Sequence, residues 1–205
     1  IVDSNPVHLE AWRTYLQRCG VSDVDGLPER MYGRRNDEIV RALFGSHLTP
    51  EQVSQHGAAK EALYRDLMRP QLRERLVPGV EQFVRRRRGM PMAVATNAEP
   101  ANARFVLEET GLAERFSVVL DGDQVERPKP DPEIYLRAAA LLGVDPSRCI
   151  VFEDSAAGVR AALAAGARVV AITTTHPTLA GTSLSVRDFL SPELEPWLED
   201  QRAGS

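Results

Sequence analysis

Cysteine is scarce in this chain: two residues in 205, Cys19 and Cys149, far apart and without metal-ligand spacing. That argues against a disulfide framework and a thiolate metal site. The pair reads as free thiols of a reducing compartment, one of them, Cys149, buried at the start of a strand. Long apolar runs are also lacking. None approaches the roughly 18 residues of a membrane span, and no leader pattern is visible, so the expectation is a cytoplasmic protein. Positive charge is not in excess, the net charge being −4, and no nucleic-acid footprint follows. The single basic run, Arg85-Arg86-Arg87-Arg88, stands before Gly89 and reads as the solvated C-terminus of a helix. No internal repeat is seen, and the Gln201–Ser205 end reads as a polar tail.

What is present is enough apolar material for a sizeable core, 43% of residues, at a length that suits a domain with an inserted subdomain. From Pro6 to Val77 the pattern is helix after helix. Leu9, Trp12, Leu16 and Cys19 recur at helical spacing up to Gly20. Asn36 reads as the cap of a helix stopped at Gly45. Thr49-Pro50-Glu51-Gln52 is a capping box with proline at the first helical position, and it opens a long helix toward Arg69. Pro78-Gly79 breaks the pattern. Beyond it, strands near 92–96, 117–120, 149–152 and 168–172 alternate with helices, which predicts a parallel α/β sheet.

Three strand ends carry chemistry. Cys149-Ile150-Val151-Phe152 runs into Glu153-Asp154-Ser155 and then into a small-residue helix ended by Gly166. Adjacent carboxylates at the C-terminal end of a strand repel each other and call for a cation, at the place where open parallel sheets bind ligands. A plain helix cap by Asp154 or Ser155 is the simpler alternative. Lys129 stands between two prolines in Arg127-Pro128-Lys129-Pro130-Asp131-Pro132, on a stiff loop. Asp131 and Pro132 read as the cap and first residue of the next helix. Such a lysine is an anion anchor or a solvated loop residue. Met92-Ala93-Val94-Ala95 ends in Thr96-Asn97, before a helix from about Glu99 to Thr110. Thr96 and the N–H groups beyond it can hold a phosphate oxygen, or Thr96 can simply cap the helix.

Taken in order, a hydroxyl, a lysine and an acid pair after successive strands resemble the haloacid dehalogenase superfamily. Thr96 matches its second motif, Lys129 its third, and Glu153-Asp154 its fourth. Val2 to Trp12 is similar to the stretch after the first motif, where the chain leaves the core for a helical cap. The resemblance covers nearly the whole chain and is nearest to the subgroup of β-phosphoglucomutase and small phosphatases. It implies a Rossmann-like α/β core, residues 1–5 and 78–205, with a helical cap inserted at 6–77.

The first motif, Asp-x-Asp-Gly, does not occur in these residues, and Asp3 is no substitute for it. The resemblance places that motif, with the nucleophile and the central strand of the sheet, before Ile1. It further implies a Mg²⁺-dependent phosphomonoester hydrolase working through an aspartyl phosphate on a small phosphorylated metabolite, as a monomer. Asp154 and Glu153 are the expected metal ligands; Lys129 and Thr96 the catalytic residues; Thr96, Asn97, Lys129, His8, Arg34 and Arg35 the substrate and phosphate contacts. A phosphosugar mutase and a catalytically inactive phosphate-binding module are the alternatives.

Overall fold

The computed structural model describes residues 1–21, 25–31, 34–174 and 178–203. The chain divides into two compact units, one of Val2–Arg75 and one of Ile1 with Leu76–Ser205.

The first unit is helical: α1 (Asn5–Arg18), α2 (Leu27–Met31), α3 (Asn36–Phe44), α4 (Pro50–Met68) and α5 (Leu72–Arg75). The periodic apolar residues of α1 and α3 meet Val53 of α4, burying Trp12, Leu16, Ile39 and Val40 in one cluster. Fully burying each such side chain contributes about 1.5–3 kcal/mol. Cys19 falls just past α1 and is exposed. The Thr49 capping box forms in full: Gln52 N–H donates to Thr49 Oγ1, and Thr49 N–H donates to the Gln52 side chain. Asn36 does not cap α3 as its position suggested. It is the first helical residue, after Arg35, and its amide donates 2.6 Å to Glu61. The charge-assisted bond to a buried carboxylate draws the side chain toward Glu61, away from the helix end it would have capped.

The second unit alternates α6 (Val80–Arg86), β1 (Ala93–Ala95), α7 (Pro100–Glu109), β2 (Val118–Leu120), α8 (Glu133–Leu142), β3 (Ile150–Glu153), α9 (Ala156–Ala164), β4 (Arg168–Ile172), β5 (Leu184–Val186) and α10 (Leu194–Ala203). All pairings among the described strands are parallel, in two ladders, β1–β2 and β3–β4–β5. β5 has no counterpart in the sequence reading, because Leu184-Ser185-Val186 is too short to show alternation. α8 begins one residue later than expected, with Pro132 before it and Asp131 Oδ1 accepting from Glu133 N–H.

The two ladders feed the same two apolar layers, since strand side chains alternate between faces. Ala93, Ala95, Val118, Val151, Val169 and Ala171 face α8 and α9. Val94, Val119, Phe152, Val170 and Ile172 face α6 and α10. Helices therefore cover both faces, as a parallel sheet requires.

The arginine run corrects the expectation of a merely solvated helix end. Arg87 lies 3.4 Å over the Phe83 ring, donates to the Phe83 carbonyl and pairs with Glu195 at 2.8 Å. Arg85 donates to the Thr110 carbonyl. These side chains tie α6 to α10 and to the end of α7. Cys149 sits just before β3, half-buried.

Candidate active site

Lys129 is the centre of the arrangement. Prolines on both sides keep it out of helix, and the Lys129–Pro130 bond is cis. The residue is only 8% exposed. Nζ donates to the Ala95 carbonyl at 3.0 Å, at the end of β1, and forms an ion pair with Glu153, at the end of β3. One ammonium thus joins the C-terminal ends of both ladders. Of the two readings for Lys129, the solvated loop residue is the one this burial overturns.

Glu153 is equally buried and accepts from more than the lysine. Tyr135 O–H donates to Oε1, the oxygen that also takes Lys129, and Ser155 Oγ donates to Oε2 at 3.1 Å. Burial alone would push the Glu153 carboxyl up, but Lys129, Tyr135 and Ser155 together hold it below the usual carboxylate range. A Cβ on Gly158 would overlap this carboxyl group, so the first turn of α9 must be glycine to let it lie there. Ser155 serves α9 as well, its Oγ accepting from Gly158 N–H at 3.0 Å. The helix cap and the acid pair are not alternatives here. Ser155 caps, and the carboxylates remain for other work.

Asp154 differs from its neighbour. It is half-buried, and its carboxyl is pushed up by burial and then by the charge of Glu153. A raised carboxyl at a strand end gains from a cation, whose charge would offset both the cost of burial and the repulsion from Glu153. Mg²⁺ suits such a donor, because it takes one or two carboxylates and fills the rest of its shell with water and phosphate oxygens. Among the described residues no three His, Cys, Asp or Glu side chains converge on one point. A cation here would lean on few protein ligands.

The loop after β1 completes the surroundings. Thr96 N–H donates to the Leu120 carbonyl, and Thr96 Oγ1 accepts from Ala98 N–H at 3.1 Å, which leaves the hydroxyl proton to donate. Thr96 is not the cap of α7, since Glu99 holds that position. Asn97 is exposed, and its Oδ1 accepts from Lys129 N–H at 3.4 Å. Gly122, after β2, comes so near the Asn97 carbonyl that a Cβ would sit 2.8 Å from it. Gly122 N–H also donates to the Ala98 carbonyl, so the loops that follow β1 and β2 are held together. Thr96, Asn97, Lys129, Glu153 and Asp154 all belong to this one set of strand ends.

The remaining predicted contacts lie in the helical unit. His8, on α1, stacks on Tyr64 at 3.8 Å with its Nδ1 3.1 Å from Lys60 Nζ. Burial, and then the Lys60 charge, push it down to about 3, so it is a neutral ring at physiological pH. Lys60 and Glu61 form a buried pair beside it at 2.6 Å. Arg34 is exposed, and Arg35 stands at the start of α3. Tyr32 and Gly33, which precede Arg34 in the sequence, lie outside the described residues.

Tyr135 is the residue that sequence reasoning passed over, and Ser155 was read only as a helix cap, not as a donor to Glu153. A buried tyrosine needs a partner for its hydroxyl, and Tyr135 lies six positions after the lysine on the helix that the proline loop opens. That was the available signal.

Comparison with known proteins agrees with this geometry. A fructose-1-phosphate phosphatase of Escherichia coli, YqaB, is 34% identical over 172 residues, covering 81% of this chain and 87% of that protein. CbbY of Rhodobacter sphaeroides, solved with xylulose-1,5-bisphosphate, superposes with a TM-score of 0.77 at 28% identity, covering 92% of this chain and 90% of that one. A β-phosphoglucomutase from Clostridium difficile shares the fold, with a TM-score of 0.83 at 23% identity over 99% of this chain and 93% of its own. The model of haloacid dehalogenase-like hydrolases matches residues 1–166. The strand-end lysine and acid pair, the alternating α/β core and these likenesses agree, and the chain belongs to the haloacid dehalogenase-like hydrolase family.

Proposed function

We propose that this protein is a Mg²⁺-dependent phosphatase of small phosphorylated carbohydrates and related metabolites. The reading rests above all on the buried Lys129–Glu153 pair at the strand ends, with Asp154 beside it. The likeness to a fructose-1-phosphate phosphatase supports the substrate class. The nucleophile is an aspartate of the Asp-x-Asp segment that the family carries on the N-terminal side of the residue numbered 1. Its carboxylate attacks phosphorus and the bond from phosphorus to the substrate oxygen breaks, that oxygen taking a proton from the second aspartic acid of the segment. Water, giving a proton back to that aspartate, then cleaves the aspartyl phosphate to inorganic phosphate.

In this reading Lys129 donates to the transferring phosphoryl oxygens while Glu153 holds it in place. Thr96, with its free hydroxyl proton, and Asn97 donate to the same group. Asp154, with Glu153 at its side, holds the magnesium ion, whose positive charge offsets that of the phosphate. Catalysis is then mostly alignment and electrostatic stabilisation. Residues 6–77 serve as the inserted cap that selects substrates. Arg34 and Arg35 take a second anionic group, and His8, being neutral, contributes a hydrogen bond rather than a charge.

The test uses the full-length protein with Mg²⁺ and a panel of hexose, pentose and polyol phosphates. Release of inorganic phosphate from several of them is expected, and Arg34→Ala or Arg35→Ala should chiefly raise KM for substrates with a second anion. Sugar-phosphate isomerisation faster than phosphate release would replace this reading with a mutase. Absence of both would leave a phosphate-binding module.

A further inference from the structure

We propose that Tyr135 is a positioning residue of the phosphoryl-transfer site, aiming Lys129 by fixing the Glu153 carboxylate from one side and the ammonium from the other. The inference rests on the phosphatase reading above and adds a residue to it.

Tyr135 touches both members of the ion pair. Its hydroxyl donates to Glu153 Oε1, and Lys129 Nζ lies 4.8 Å from the centre of its ring. The residue is 8% exposed, and its ring packs in the core layer with Ile134, Ala138 and Val159. Packing needs only the ring, which phenylalanine would supply at nearly the same volume. The hydroxyl has a separate consequence. Glu153 Oε1 takes two donors, Tyr135 and Lys129, so its negative charge is shared between them.

An ammonium has three N–H donors. Lys129 gives one to Glu153 and one to the Ala95 carbonyl. The third remains for a phosphoryl oxygen. With the tyrosine hydroxyl removed, Oε1 would keep Lys129 as its single strong donor and draw the ammonium closer. The third N–H would then turn from its line. Misalignment is costly where donors must meet charge that develops in the transition state. Such a loss falls on kcat rather than on ground-state binding.

The experiment compares Tyr135→Phe with the wild type in the full-length protein, on the best sugar phosphate of the panel. Phenylalanine keeps the ring over Lys129 and the core packing. The expected result is a kcat lower by about tenfold, the effect of one hydrogen bond to a charged group. KM should stay within about twofold and the thermal midpoint nearly unchanged. A kcat within twofold of wild type overturns the proposal. So does a loss that merely follows a fall in the thermal midpoint and disappears when the assay is cooled.

If the wild type releases no phosphate from any substrate, the phosphatase reading fails, and binding decides the role of Tyr135. Orthovanadate mimics the five-coordinate transition state and inorganic phosphate does not. With Mg²⁺ present, Tyr135→Phe should weaken orthovanadate by about tenfold and inorganic phosphate by less than twofold. Equal effects on the two, or none on either, overturn the proposal.

Discussion

Lys129 and Glu153, 24 positions apart in the chain, form a buried ion pair that ties the proline-rich loop to the end of β3. Each is only 7% exposed at the side chain. A buried pair of this kind is weak evidence for stability, but breaking it is expensive because the survivor keeps an uncompensated charge.

Lys129→Met should therefore lower the unfolding free energy by about 3–5 kcal/mol and reduce kcat/KM at least a hundredfold. The double variant Lys129→Met/Glu153→Gln removes both charges. It should regain most of the stability and none of the activity. Denaturant unfolding alongside phosphate release checks this. A single variant as stable and as active as wild type would mean that the pair is incidental.

Asp154 predicts a trade between function and stability. Its carboxyl is pushed up by burial and by Glu153, so at neutral pH the folded state bears a cost that the unfolded state does not. Asp154→Asn should abolish Mg²⁺ binding in calorimetry and end turnover. In Mg²⁺-free buffer it should be more stable than wild type by about 0.5–2 kcal/mol at pH 7. That advantage should vanish as pH falls and Asp154 of the wild type takes up its proton. An unchanged Mg²⁺ affinity would remove Asp154 from the metal site.

His8 predicts an acid-sensitive helical unit. Its folded value is about 3, against roughly 6.5 in an unfolded chain. Between these values the unfolded state binds a proton that the folded state refuses, so stability rises with pH across that window. The contribution is complete above about pH 6.5 and is lost as pH falls, by at most about 1.4 kcal/mol per unit. His8→Phe keeps the stack on Tyr64 and should flatten the slope between pH 6.5 and 4.5. Urea midpoints at several pH values measure it, and identical slopes for the two proteins would refute it.

Arg87 and Arg86 are adjacent and should behave differently. Arg87 is held over Phe83 and paired with Glu195, with 11% of its side chain exposed. Arg87→Ala should cost about 1–2 kcal/mol through lost packing and cation–π contact. Arg86→Ala should stay within about 0.5 kcal/mol, as an exposed surface change. Thermal unfolding of the two variants decides it. Equal losses would mean that the run acts only as charge at a helix end.

Much of this protein was legible in its residue pattern because the signals are local. The capping box at Thr49, the break at Pro78-Gly79 and the runs that became β1, β2, β3 and β4 depend on neighbours within a few residues, so periodicity and turn chemistry reveal them. The order of hydroxyl, lysine and acid pair was visible for the same reason: each sits at the end of a strand that announces itself. Division of labour within the acid pair was not visible. Glu153 and Asp154 are neighbours of similar chemistry, and only packing turns one inward to Lys129, Tyr135 and Ser155 and leaves the other half-buried with a raised carboxyl. Tyr135, Arg87 and Asn36 were misjudged or missed on the same ground. Their partners Glu153, Glu195 and Glu61 lie 18, 108 and 25 positions away. A sequence shows that a buried donor must find an acceptor, and the tertiary fold alone selects which acceptor comes within reach, because hydrogen bonds and ion pairs act over a few ångströms and the chain separates the partners by many residues.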